Sequence, residues 1–201
     1  MNLVSAGGVA AGALAGALTW TFLEYVLHRW AFHEARGRNP ASRQHLRHHA
    51  EVDWFVATWE KVLLGVFVCG GSATLGGLLL GAPGVAFGFG LGAMYGVYEV
   101  VHRLIHVRAP RTAYGRFVCR HHLAHHFHDP FRNHGVSSPL WDLVFRTYVS
   151  STEVRVPPKQ RHKLPWLVDA EGEIRPAFRD VYRLGGRASG PRDGAESGGP
   201  R

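Results

Sequence analysis

Charge is absent from two long stretches of this chain, and that absence restricts its possible folds more than any other feature. Residues 1–23 carry no charged side chain, and the residues from Val62 to Tyr98 form a second uncharged run, interrupted only by the turn signal Gly81-Ala82-Pro83-Gly84. Roughly 20 apolar residues cross a bilayer as a helix, so the first run makes one span and the second makes two joined by a hairpin. The pattern predicts membrane helices over about 3–27, 57–80 and 84–106. A soluble core of this size does not need such lengths of Leu, Val, Gly and Phe.

The positive charge is as segregated as the apolar residues. All 23 Lys and Arg lie in 29–61 or beyond Tyr98. Positive charge marks the cytoplasmic side of a membrane protein, which predicts an outside N-terminus, an inward first helix, an outward hairpin, and a cytoplasmic chain after about residue 105. The net charge of +8 is then positive-inside bias and attraction to anionic lipid, with no call for nucleic acid. Residues 1–23 contain Ala-x-Ala patterns but lack the basic start of a cleaved signal, so the first helix is expected to stay. Cys69 falls in a span and Cys119 on the cytoplasmic side, which predicts no disulfide.

Glycines recur every four residues in helix one (Gly8, Gly12, Gly16) and helix three (Gly84, Gly88, Gly92, Gly96). Small residues on one face let helices approach closely in lipid, here within a compact bundle rather than between copies. Trp54, Phe55 and Trp59, with Trp20 and Trp30, suit an interfacial aromatic belt. The whole reads as a single domain over 1–184: an all-α integral membrane bundle of three to four helices. Segments 28–53 and 107–150 form its cytoplasmic, histidine-rich dimetal cap. The Gly-, Ser-, Pro- and Arg-rich tail, 185–201, is expected to be disordered. The short apolar piece 140–145 suits either the membrane surface or the cap.

Ten of the 14 histidines fall into four groups: His28 and His33; His45, His48 and His49; His102 and His106; His122, His125 and His126. Positions three or four apart share a helix face, which aligns the members of three groups. His28 and His33 are five apart, about 140° on a straight helix; either the helix loosens there or the two serve different metals. Neutral imidazole binds iron, zinc, copper and nickel. Ten such ligands are too many for one ion and enough for two. Two iron ions together supply the electrons to cleave O2 and oxidise an unactivated C–H bond, the hard step being the cofactor's.

Other metal chemistries fit less well. A zinc protease needs His-Glu-x-x-His, but His102-Arg103-Leu104-Ile105-His106 has Arg where that Glu belongs. Soluble di-iron bundles rely on Glu ligands, and only Glu99-x-x-His102 has that spacing. Glu24 and Glu99 are read instead as orienting histidine ring N–H groups, with Asp129 and Asp142 as further candidates. His121, His128 and His134 are possible additional ligands or proton shuttles, and His162 an ordinary surface residue. A transporter would place ionisable groups inside the membrane, and 1–23 and 62–98 have none.

The sequence resembles the fatty acid hydroxylase superfamily, the sterol desaturase type of membrane di-iron protein. The resemblance rests on Glu24-Tyr25-Val26-Leu27-His28-Arg29-Trp30-Ala31-Phe32-His33, on His45-Leu46-Arg47-His48-His49, on Tyr98-Glu99-Val100-Val101-His102-Arg103-Leu104-Ile105-His106 and on His121-His122-Leu123-Ala124-His125-His126-Phe127. The segment Gly135-Val136-Ser137-Ser138-Pro139-Leu140-Trp141-Asp142 and on to Thr147 follows in the right order. It implies a four-helix-type scaffold, two iron ions on the ten boxed histidines (zinc could substitute in a purified sample), and O2-dependent hydroxylation or desaturation of a membrane lipid. Electrons would come from a separate donor, a ferredoxin or a b-type cytochrome with its reductase. A fourth helix would have to come from 50–61 or 139–149. Carotenoid ring hydroxylases share the four spacings; the 135–147 segment favours a fatty-acyl or sterol-like substrate. The oligomeric state is left open.

Overall fold

The first membrane helix does not stop at the membrane edge but changes pitch there. In the computed structural model, which describes residues 6–185, α1 (Ala6–Val26) runs without a break into a π-helix over Leu27–Glu34. A loop then leads to α2 (Pro40–Ala50), started by Asn39, whose side chain accepts from the Ser42 N–H at 2.7 Å, with Pro40 fixing the first turn. Next come α3 (Thr58–Leu80), α4 (Ala82–Val107), α5 (Ala113–Phe127) and the one-turn α6 (Leu140–Val144). Two three-residue strands, β1 (Val154–Val156) and β2 (Tyr182–Leu184), pair in parallel near the end.

Three segments are long and apolar enough to span a membrane: Ala6–Glu34, Thr58–Leu80 and Ala82–Val107. The bundle is all-α, as its periodicity predicts, and the spans match the expected ones apart from residues 3–5, which lie outside the described part. The hairpin turn is tighter than expected. Gly81 alone makes it, at φ +65°, and Pro83 belongs to the first turn of α4. No fourth span forms among the described residues. Residues 51–57 are a turn and an irregular stretch, residues 58–61 already belong to α3, and α6 has five residues, too few to cross a bilayer.

α4 lies between α1 and α3, and glycines set the spacing. A methyl group at Gly16 would meet the Phe87 carbonyl oxygen at 2.0 Å, and one at Gly84 would meet that of Gly76 at 1.9 Å. The small-residue ladders thus work inside the bundle. Trp20, expected at the membrane interface, is instead buried between α1 and α4, its ring 4.7 Å from that of Tyr95. α3 has no buried residue and turns Leu63, Phe67 and Leu78 outward, as a lipid-facing helix does.

Most of the buried apolar core lies outside the membrane segments, with Ile105 at the end of α4 joining it. Val118, Cys119 and Leu123 of α5 pack with Val154, Val156, Leu164, Leu167 and Tyr182 from the C-terminal segment. α6 leans on α1, where the Trp141 indole donates to the Thr21 hydroxyl at 3.0 Å. Its Leu140, Leu143 and Val144 face outward while Asp142 is fully buried.

Candidate metal centre

His28 and His33 project from the π-helix, His45, His48 and His49 from α2, His102 and His106 from the end of α4, and His122, His125 and His126 from α5. The wider turn of a π-helix closes i to i+5, so the five-residue spacing puts His28 and His33 on one face. The structure therefore sends both to the same group, not to different ones.

The ten rings gather into two sets of five that could each hold a metal ion: His28, His33, His45, His49 and His125; and His48, His102, His106, His122 and His126. Within each set the candidate ligand atoms lie within 4.8 Å of one another. In the first, neighbouring Nε2 atoms are 3.1 Å apart for His28–His45, 2.8 Å for His33–His45 and 3.0 Å for His33–His125. In the second they are 3.1 Å apart for His48–His102, 3.1 Å for His106–His122 and 3.0 Å for His122–His126. The sets touch where the His49 and His126 rings stack at 4.0 Å, 13° from parallel.

These distances suit a cation. Imidazole nitrogen binds a zinc-like ion at about 2.0–2.1 Å, so two ligands at a right angle would be about 3.0 Å apart. The tautomers agree. His125 Nδ1 lies 2.7 Å from the Arg132 carbonyl and His48 Nδ1 2.7 Å from that of Trp54, while His28 Nδ1 bonds the His134 carbonyl. A carbonyl can only accept, so each Nδ1 carries the proton and each Nε2 presents a lone pair inward. Lone pairs converging at 3 Å repel one another unless a cation sits among them. Burial, and after it the neighbouring imidazoles, push His45, His49, His122, His125 and His126 well below the ordinary histidine range. Burial pushes His48 down to about 4. All are thereby kept in the neutral form that ligates.

Other candidates stand elsewhere. Glu24 makes no direct bond to a histidine ring: its carboxylate accepts from the Val136 N–H at 2.5 Å, the Ser137 N–H at 2.8 Å and the Ser137 hydroxyl at 2.6 Å. Glu99 likewise pairs with Lys61 at 2.6 Å rather than with His102. His121 lies outside both sets and faces Asp142 at 3.2 Å. His128 accepts from the Arg155 N–H at 3.0 Å and so holds β1. His134 is buried beside the first set, its ring 5.5 Å from that of His28, with neither ring nitrogen bonded among the described residues. Asp129 caps a turn at Phe131 N–H, and His162 is exposed as expected. Burial works against ionising Asp142, but hydrogen bonds from His121, Thr147 and Gly135 outweigh it and hold the carboxyl below its ordinary range.

Several supports were not readable from side-chain type. The Trp54, Arg132 and His134 carbonyls carry no residue signature. Gln160 donates to the Ala50 carbonyl at 3.0 Å and Trp166 to that of His106 at 3.1 Å, so the C-terminal segment braces the ends of two histidine helices.

A cavity of about 690 Å³ runs from the membrane helices to the two sets. Leu23, Leu64 and Tyr98 are among its walls, as are His45, His48 and His102, with the Lys61–Glu99 pair alongside. Its size is that of a small-molecule site, and its lining is mostly apolar.

The family model for fatty acid hydroxylase matches residues 13–147, which takes in all ten clustered histidines. The chain belongs to the fatty acid hydroxylase family. Among its relatives is a dihydroceramide fatty acyl 2-hydroxylase of Arabidopsis thaliana, 30% identical over 150 residues, covering 66% of this chain and 58% of the relative. The fatty acid 2-hydroxylase of Rattus norvegicus is 30% identical over 147 residues, covering 67% and 38%. A solved structure of full-length scs7p, in which only the hydroxylase domain is visible, is 27% identical with a TM-score of 0.57, covering 75% of this chain and 58% of that one. This fatty acid hydroxylase chain thus spans a little over half the length of the plant relative and about two fifths of the rat one. The segment after residue 147, which braces the centre, lies beyond the matched region.

Proposed function

We propose that this chain hydroxylates the 2-carbon of a fatty acyl chain in a membrane lipid of the ceramide type, at two iron ions held by its ten clustered histidines. The observation that carries this is the pair of five-imidazole sets, with His45 of one and His48 and His102 of the other lining a mostly apolar cavity. Zinc would fit the same nitrogens, but it has no redox chemistry, and O2 must be reduced. Iron, when bound, supplies that redox chemistry. The overall change is R–H + O2 + 2 electrons + 2 protons giving R–OH + H2O, with the electrons from a separate donor, a ferredoxin or a b-type cytochrome with its reductase.

The chain's own groups bind, orient and exclude water. Leu23, Leu64 and their neighbours take the acyl tail. The 2-carbon adjoins the carbonyl, so the lipid's polar end must sit close to the reacting position. Lys61 and Glu99 offer a donor and an acceptor there, Glu99 one helical turn from His102. The names of the relatives favour an acyl substrate over a sterol or a ring carotenoid. The arginine-rich segments favour the cytoplasmic side for the centre, by the bias of positive charge toward that side.

The test is lipid profiling of a host that lacks such lipids, with and without the chain. Wild type should add 2-hydroxyacyl species and His125→Ala should abolish them; equal profiles would sink the assignment. Metal analysis of the purified protein should find two ions per chain.

A further inference from the structure

Four consecutive backbone N–H groups, those of His134, Gly135, Val136 and Ser137, are all taken by just two buried carboxylates. Asp142 accepts from His134 at 2.8 Å and Gly135 at 2.7 Å; Glu24 accepts from Val136 at 2.5 Å and Ser137 at 2.8 Å. Glu24 is 4% exposed and Asp142 not at all, so each bond forms away from water, where charge-assisted bonds are strongest. Further contacts stiffen the same loop. Thr147 donates to Asp142 at 2.7 Å, and Asn133, at φ +56°, bonds Val149 through both ends of its side-chain amide.

The loop's other face does the positioning. Its Arg132 and His134 carbonyls accept the Nδ1–H groups of His125 and His28, two of the five members of the first set. No member of the second set bonds this loop among the described residues. There the ring held by a carbonyl is His48, and its partner is Trp54, far from the loop in sequence. The Nδ1 atoms of His106, His122 and His126 have no partner among the described residues.

We propose that Glu24 and Asp142 are positioning residues for the first metal set alone: by clamping 134–137 they fix the rings of His28 and His125, and without them that set empties while the second stays filled. The proposal rests on the two-metal reading above. It gives the two sets unequal supports, one built on a loop tied down by carboxylates and one built into α2, α4 and α5.

Bound metal per chain, measured on the full chain in detergent, tests it without needing activity. Asp142→Asn places an NH2 against the N–H of Gly135 or of His134, and Glu24→Leu removes both acceptors; each should halve the metal bound. Glu24→Gln should keep both ions, because its oxygen still accepts from both amides and its NH2 can donate to the Ser137 hydroxyl. The set that empties is identified by combination. With His33→Ala, Asp142→Asn should remove no further ion; with His102→Ala it should leave none. Retention of both ions by Asp142→Asn and Glu24→Leu overturns the proposal. So does loss of both ions, or failure of both variants to fold, since the second set would then depend on the clamp too. Wild type without metal overturns the two-metal reading itself, a distinct result.

Discussion

At the scale of single residues, burial decides chemistry. Cys119 is 3% exposed in the core beneath α5, and burial pushes its thiol up to about 12. In an unfolded chain the same thiol ionises near its ordinary value, about 8.5. Between those values the unfolded chain holds fewer protons than the folded one, so the thiol's contribution to stability is complete below about 8.5 and is lost as pH rises toward 12. Iodoacetamide at pH 8 should leave Cys119 unmodified in the folded protein and alkylate it after denaturation; rapid labelling of the folded state would contradict its burial. The histidines show the same effect with opposite use: desolvation that makes a thiol inert keeps an imidazole neutral and able to ligate. Glu24 and Glu99 show its limit. Their spacing from histidines on a helix suggested contact with a ring, yet one bonds a distant loop and the other Lys61, because a carboxylate goes to the strongest donors within reach.

At the scale of elements, helix contacts follow side-chain size and the metal sets follow helix pitch. Gly16→Leu would drive a side chain into the Phe87 carbonyl, whereas a methyl at Gly70 in α3 meets nothing within 4 Å. The first should cost roughly 3 kcal/mol or more, or prevent assembly, and Gly70→Ala should be neutral or stabilise by up to about 1 kcal/mol. Thermal unfolding in detergent, followed by size exclusion, distinguishes them. The spans were legible because lipid demands long uncharged runs, and the histidine groups were legible because ligands on one face recur every three or four residues. The pitch change at Leu27–Glu34 was not: only the five-residue spacing of His28 and His33 hinted at it, and that hint had two readings. Nor was the C-terminal segment, whose strands are three residues long and whose order comes from packing Val154, Leu167 and Tyr182 on α5, contacts with no local signature.

At the scale of the whole molecule, three helices are long and apolar enough to cross a bilayer. The two histidine sets gather at one end of these helices, and α3 has no buried residue along its length. Leu27 and Leu64, both on membrane segments and substantially exposed, belong to the wall of the large cavity. A site rimmed by such side chains meets its ligand by diffusion in a plane. The effective concentration is then the ligand's share of the surrounding lipids, not its molarity in the sample. In proteoliposomes, adding inert phospholipid at constant total substrate should slow turnover in proportion to the dilution. A rate indifferent to that dilution would mean entry from water.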